Sequence, residues 1–139
     1  MSKRILLIDD DIDDAGLFRD ALEEVDRHAL FFHFDGDEAV NSLIEHRIPL
    51  PDLIFLDINM PSISGWQCLA KFRASKELSQ VPVIMYTTSA QSRERQMAKD
   101  LGASGFITKP SDFKMLKNIL SQVTTRPLNE LGAAETWIF

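Results

Sequence analysis

Five residues of this chain are of types that do chemistry and stand where short apolar runs end. Asp9 and Asp10 follow residues 5–8, Asp57 follows residues 53–56, Thr87 follows residues 83–86 and Lys109 follows residues 106–108. Carboxylates brought close together repel one another unless a cation joins them, and three of them suit a hard divalent ion. Magnesium keeps several of its waters and commonly shares its coordination with phosphate. A lysine and a hydroxyl beside it are what the remaining oxygens of a phosphoryl group require, because charge spreads over those oxygens during transfer. Asp57, central in the order of the runs, is placed to serve as the attacking carboxylate.

The elements that must position these residues can be read from the change of period along the chain. The unbroken apolar runs at 5–8, 53–56 and 83–86 read as strands buried on both faces. Residues 29–34, apolar and aromatic apart from His33, and residues 106–108 read as two more. Between them, Leu17, Phe18, Ala21, Leu22 and Val25 mark one face of a helix, and Ala39, Val40, Leu43 and Ile44 mark another. A helix is expected near residues 66–72. A polar one follows over 91–101, with Met97, Ala98 and Leu101 inward, and Met115, Leu116, Ile119, Leu120 and Val123 face the core from a last one. Asp35-Gly36-Asp37, Pro49, Pro51, the stretch 62–65, Gly102 and Gly105 punctuate these elements. Five strands alternating with five helices predict an α/β domain with a mostly parallel sheet covered on both sides. In such a sheet the strand ends share one edge, so Asp9, Asp10, Asp57, Thr87 and Lys109 are expected to converge there.

Length and composition narrow the function classes. At 139 residues the chain is read as one domain over 1–123 with a C-terminal tail over 124–139. A net charge of −6 argues against general nucleic-acid binding through phosphate neutralisation. The single cysteine, Cys68, excludes an intramolecular disulfide and fits a reducing cytoplasm. The apolar run behind Lys3 and Arg4 is too short for a signal peptide or a membrane span, so a cytoplasmic protein with no membrane partner is expected.

The runs Ile5-Leu6-Leu7-Ile8-Asp9-Asp10 and Leu56-Asp57-Ile58-Asn59-Met60-Pro61, with Gly65 beyond, carry a resemblance. So do Val83-Ile84-Met85-Tyr86-Thr87-Thr88-Ser89 and the stretch from Gly102 through Phe106 to Thr108-Lys109-Pro110. In this order and spacing the chain resembles the receiver domain of two-component response regulators, over about residues 3 to 123. The resemblance implies a flavodoxin-like, doubly wound, five-stranded parallel sheet, (βα)5. It implies that Asp57 accepts a phosphoryl group from a phosphohistidine of a sensor histidine kinase or a histidine phosphotransfer protein. Asp9, Asp10, Asp57 and the backbone carbonyl of Asn59 would hold Mg2+. Lys109, Thr87 and Thr88 would bind and sense the phosphoryl group, with Phe106 as the aromatic switch. A cis peptide before Pro110 is implied as well, since only an X-Pro bond adopts cis at a modest cost of about 0.5–1 kcal/mol. Output would pass through the face built by the fourth helix, last strand and last helix, to a protein target or a second copy. The expectation is a stand-alone phosphoacceptor that assists its own phosphorylation and dephosphorylation rather than an enzyme.

Plainer readings apply to other residues. Asp11, Asp13 and Asp14 are expected to be a solvated helix start. An EF-hand loop is disfavoured because Asp14 and Asp20 stand where Gly and Glu are needed. His28, His33 and His46 lack metal-ligand spacing and are assigned structural or surface roles, and Cys68 is assigned to packing. Trp137, Ile138 and Phe139 are expected to pack back on the domain or to be disordered, or else to form a docking or dimerisation strip beside the output face. Two rivals remain. A magnesium-dependent phosphohydrolase would need a second acid two residues after its nucleophile, where this chain has Asn59. A constitutive interaction module with the same fold would have no need of the acid–Thr–Lys set.

Overall fold

The computed structural model describes residues 2–126. The elements are β1 (Arg4–Ile8), α1 (Ile12–Val25), β2 (Ala29–His33), α2 (Gly36–Ile44), β3 (Leu53–Leu56), α3 (Gly65–Ala74), β4 (Val83–Thr87), α4 (Ser92–Asp100), β5 (Gly105–Thr108) and α5 (Phe113–Thr124). The strands are all parallel in the order β2-β1-β3-β4-β5, so the five-stranded, doubly wound α/β fold stands as expected.

Each apolar run divides between two cores, because successive strand side chains point to opposite sides of the sheet. Ile5, Leu7, Leu53, Phe55, Ile84, Tyr86 and Ile107 pack against α1 and α5. Leu6, Ile8, Ile54, Leu56, Val83, Met85 and Phe106 pack against α2, α3 and α4. Covering both faces is what turns the alternating pattern of a one-sided strand into an unbroken apolar run. On the first side the Phe18 ring meets Phe55 and Tyr86 edge-on, at centroid separations of 4.9 and 5.5 Å. Cys68 is fully buried in the second core, as a packing residue, where burial pushes its thiol up to about 11.

Side-chain caps set the helix starts. Asp11 accepts from Asp14 N–H, Asp35 from Asp37 and Glu38 N–H, and Asp112 from Lys114 N–H. Ser64 and Gln67 close a reciprocal capping box on α3. The helix beginning at Ser92 has no side-chain cap, and Ala98 is its one buried residue.

Several helix positions expected inward are exposed instead: Leu17 at 51%, Ile44 at 52%, Met97 at 38%, Leu101 at 43% and Met115 at 53%. Neighbouring residues on a helix diverge by about 100°, so a face centred on Phe18 and Leu22 leaves Leu17 at its margin. β2 stops at His33, and Phe34 beyond it is half exposed, its ring stacked on Phe32. Trp137, Ile138 and Phe139 lie outside the described residues. No helix among the described residues is long and apolar enough to cross a membrane.

The sheet order reverses at the junction of β1 and β3, which opens a crevice beyond their carboxyl ends. Backbone bonds continue just past the strands and fix the residues at that edge. Asp9 N–H donates to His33 O at 3.0 Å, Asp57 N–H to Ile8 O at 2.9 Å, and Lys109 N–H to Thr87 O at 2.6 Å.

Candidate functional site

The strand ends bring the expected acids together. One carboxylate oxygen each from Asp9, Asp10 and Asp57 lie within 4.8 Å of one another. Asp9 and Asp57 are buried, while Asp10 is exposed. Their neighbours are fixed by local bonds: Asp9 Oδ1 accepts from Asp11 N–H at 3.0 Å, and Asp57 Oδ1 accepts from Ile58 N–H at 2.8 Å. Asp9 Oδ2 is buried and receives no well-directed hydrogen bond, although it stands 2.8 Å from the Lys109 ammonium. A buried carboxylate oxygen without a full donor set, beside two further carboxylates, is a donor set suited to a hard divalent cation. Asn59 is exposed on the loop that follows Asp57.

Lys109 reaches into the same crevice with only 8% of its side chain exposed. Its Nζ lies 2.8 Å from Asp9 Oδ2, 2.8 Å from Asp14 Oδ2 and 3.6 Å from Asp57 Oδ2. It also stands 5.4 Å from the centre of the Tyr86 ring. Burial would lower the lysine pKa, but the hydrogen bond to Asp14, the close contact with Asp9 and the surrounding negative charge outweigh it and hold the group above its ordinary value. Burial acts on Asp57 in the opposite sense and raises its carboxyl to about 6, opposed by Lys109 and reinforced by Asp9. Burial and the three acids also raise the Tyr86 hydroxyl against the opposing pull of Lys109.

Gly65, which the sequence places in the motif and in a turn, lies against the backbone of Asp57. A Cβ there would stand 2.2 Å from the Asp57 carbonyl oxygen and 2.8 Å from Ile58 Cα. With no side chain, Gly65 instead donates its N–H to Ile58 O at 2.7 Å and ties the start of α3 to the loop bearing Asp57.

Thr87 is fully buried at the end of β4, and its Oγ1 accepts from Ser89 N–H at 3.3 Å. Thr88 is exposed. The ring of Phe106 is buried, with the Arg95 guanidinium 5.1 Å from its centre and Arg95 Nη1 donating to the Phe106 carbonyl at 3.4 Å. Thr108 Oγ1 donates to Ser89 O at 2.8 Å, which joins the β4–α4 loop to β5.

Two expectations are corrected here. Lys109–Pro110 is a trans peptide, as are all bonds among the described residues. Trans is the lower-energy isomer of an X-Pro bond, and Lys109 reaches Asp9 and Asp14 with it. Asp14 is not simply part of a solvated helix start. Asp11 caps the helix and Asp13 is exposed, but Asp14 on the first turn of α1 turns back towards the crevice and pairs with Lys109. Its partner, 95 residues away, was not readable from local pattern.

Comparison with known proteins agrees with the fold. The chain is 31% identical over 129 residues to the probable transcriptional regulator ycf29 of Pyropia yezoensis, an alignment covering 91% of this chain and 55% of that protein. It therefore spans about half the length of ycf29. It is 31% identical to the polar-differentiation response regulator DivK of Brucella anthropi, over 79% of this chain and 86% of DivK. The Mn(2+)-bound form of the response regulator Rcp1 superposes with a TM-score of 0.78 at 29% identity, covering 88% of this chain and 92% of that one. The family profile of the response regulator receiver domain matches residues 5–121, and the chain belongs to that family.

Proposed function

We propose that Asp57 accepts a phosphoryl group from a phosphohistidine of a histidine kinase or histidine phosphotransfer protein, and that the phosphorylated chain signals through changed protein contacts. One observation carries this reading: the buried carboxylate of Asp57 lies beside those of Asp9 and Asp10 and 3.6 Å from the buried ammonium of Lys109, which also contacts Asp9. An Asp57 oxygen attacks phosphorus as the P–N bond to the imidazole breaks. The imidazole leaves with the bonding pair and takes up a proton, and Asp57 becomes an acyl phosphate. Asp9, Asp10, Asp57 and the Asn59 carbonyl would hold Mg2+, which offsets the charge on the phosphoryl oxygens when bound. Lys109 donates to one of those oxygens and Thr87 to another. Movement of Thr87 towards the phosphoryl group then gives up the bond from Ser89 N–H and loosens the start of the β4–α4 loop, with Phe106 as the aromatic switch on β5.

Output through α4, β5 and α5 is supported by how lightly α4 is anchored, with one buried side chain and no side-chain cap. In this reading the chain is a phosphoacceptor that assists its own phosphorylation and dephosphorylation. The test is incubation with magnesium and a small-molecule phosphodonor, followed by intact mass measurement. One base-labile phosphoryl adduct is expected, and none in Asp57→Asn. An adduct that persists in that variant, or turnover of many phosphomonoesters, overturns the reading.

A further inference from the structure

Lys109 faces more carboxylate than contact with a phosphoryl group requires. Its Nζ touches Asp9 Oδ2 and Asp14 Oδ2 at 2.8 Å each, and Asp57 Oδ2 stands farther off at 3.6 Å. The lysine side chain is 8% exposed and that of Asp14 30%, so neither end of this pair is free in solvent. A cation shared by Asp9, Asp10 and Asp57 would lie close to the Lys109 ammonium, which now contacts two of those three carboxylates, and like charges repel at that range. Swinging the ammonium out to water would mean leaving the buried pocket between these acids and the Tyr86 ring. Among the described residues, Asp14 is the one further carboxylate in ion-pair contact with Lys109 that lies outside the cation set.

We propose that Asp14 is a positioning residue for Lys109, holding the ammonium beside the first turn of α1 so that Asp9 and Asp57 are free to take a divalent cation. The proposal rests on the reading of Asp9, Asp10 and Asp57 as a cation and phosphoryl site. A lysine ammonium has three donors that turn freely about the end of its stem, so it can give up the contact with Asp9 and keep the hydrogen bond to Asp14. Without the Asp14 carboxylate its charge is balanced by Asp9 and Asp57 alone, and it competes with the incoming cation for both. Asp14 thus acts through Lys109 and contacts neither cation nor phosphoryl group.

The test is magnesium titration by calorimetry of the full chain, Asp14→Asn, Lys109→Met and the double variant. Asp14→Asn is expected to weaken magnesium binding about fivefold or more, whereas the same change in the Lys109→Met background moves it by less than about twofold. Equal losses in both backgrounds would mean that Asp14 acts only as a nearby negative charge, and would overturn the proposal, as would no loss in either. A second readout is the Lys109 side-chain ammonium resonance by NMR. It is expected to persist at saturating magnesium in the unmodified chain and to broaden or shift in Asp14→Asn; an identical signal in both overturns the proposal too. Failure of the underlying reading looks different: the unmodified chain then shows no magnesium binding at all, and both ideas fall together.

Discussion

Gly65 lies against the backbone of Asp57 so closely that a methyl group at position 65 would stand 2.2 Å from the Asp57 carbonyl oxygen. That obstacle is backbone, fixed at the end of β3 by the bond from Asp57 N–H to Ile8 O, and it cannot rotate aside. Gly65→Ala is therefore expected to cost about 2–3 kcal/mol, the upper part of the range for overpacking. Because the shift falls on the loop bearing Asp57, phosphoryl adduct formation should drop further than the loss of folded chain explains. Urea midpoints and adduct yield from folded protein measure the two effects separately. Unchanged stability would show that the contact does not constrain the loop.

The raised pKa of Asp57 makes stability depend on pH in a definite direction. An acid with an ordinary value of 3.8 that is lifted to about 6 on folding binds its proton more tightly in the folded chain. Its contribution is fully present below pH 3.8 and is lost as pH climbs to about 6. Above that, ionised Asp57 is a cost. Asp57→Asn should thus stabilise the metal-free chain at pH 7, by about 1–2 kcal/mol. The full shift would correspond to roughly 3 kcal/mol, but Asn also removes a counter-charge from Lys109. The gain should vanish towards pH 4. Thermal melts of both proteins in EDTA from pH 4 to 8 check this, and a gain that grows on acidification would contradict it.

The sequence made the strands, their order of function and the convergence of Asp9, Asp10, Asp57 and Lys109 legible because apolar runs ending in polar residues are a local signal. The division of each run between two cores was not legible. Parity along β1 separates Ile5 and Leu7 from Leu6 and Ile8, yet all four are equally apolar because helices cover both sides. Leu17, Met97 and Met115 misled for a related reason: periodicity marks a face but not its edge. The contacts of Asp14 and Arg95 were not legible because each finds its partner, Lys109 and Phe106, through the fold rather than through spacing. The trans bond at Pro110 shows the converse, since a family habit carries no local physical signal that this chain must follow it.

Arg73 makes a sharper structural prediction than any apolar residue. Its Nε donates to Gly102 O at 3.0 Å, and its Nη1 lies within reach of the carbonyls of Leu78, Ser79 and Val81 at 3.3, 3.2 and 3.0 Å. One planar fork thereby joins the segment after α3 to the turn after α4, where Gly102 adopts a φ of +92°. Removing it in Arg73→Ala leaves carbonyls short of donors and is expected to cost about 1–3 kcal/mol. Arg73→Lys should recover less than half of that, because a single ammonium cannot span both segments. Urea denaturation of the three proteins decides it, and full rescue by lysine would show that charge alone matters.

Asp10 separates the cation site from the fold. It is exposed, unlike Asp9 and Asp57, so Asp10→Asn should change stability by less than about 0.5 kcal/mol without a divalent ion. The same residue supplies one of the three carboxylate oxygens that lie within 4.8 Å of one another. A cation that binds only the folded chain stabilises it by about 2.7 kcal/mol at a hundred times its dissociation constant. For a domain of this size that corresponds to a rise of roughly 6–10 °C in Tm. The unmodified chain should show this rise with magnesium and lose it on adding EDTA, whereas Asp10→Asn at the same magnesium concentration should show little of it. Replacing Asp9 would be a poorer test, because its buried carboxylate also caps Asp11 N–H and pairs with Lys109, so folding and cation binding would fail together. An undiminished magnesium increment in Asp10→Asn would remove Asp10 from the site and leave Asp9 and Asp57 as its only carboxylates.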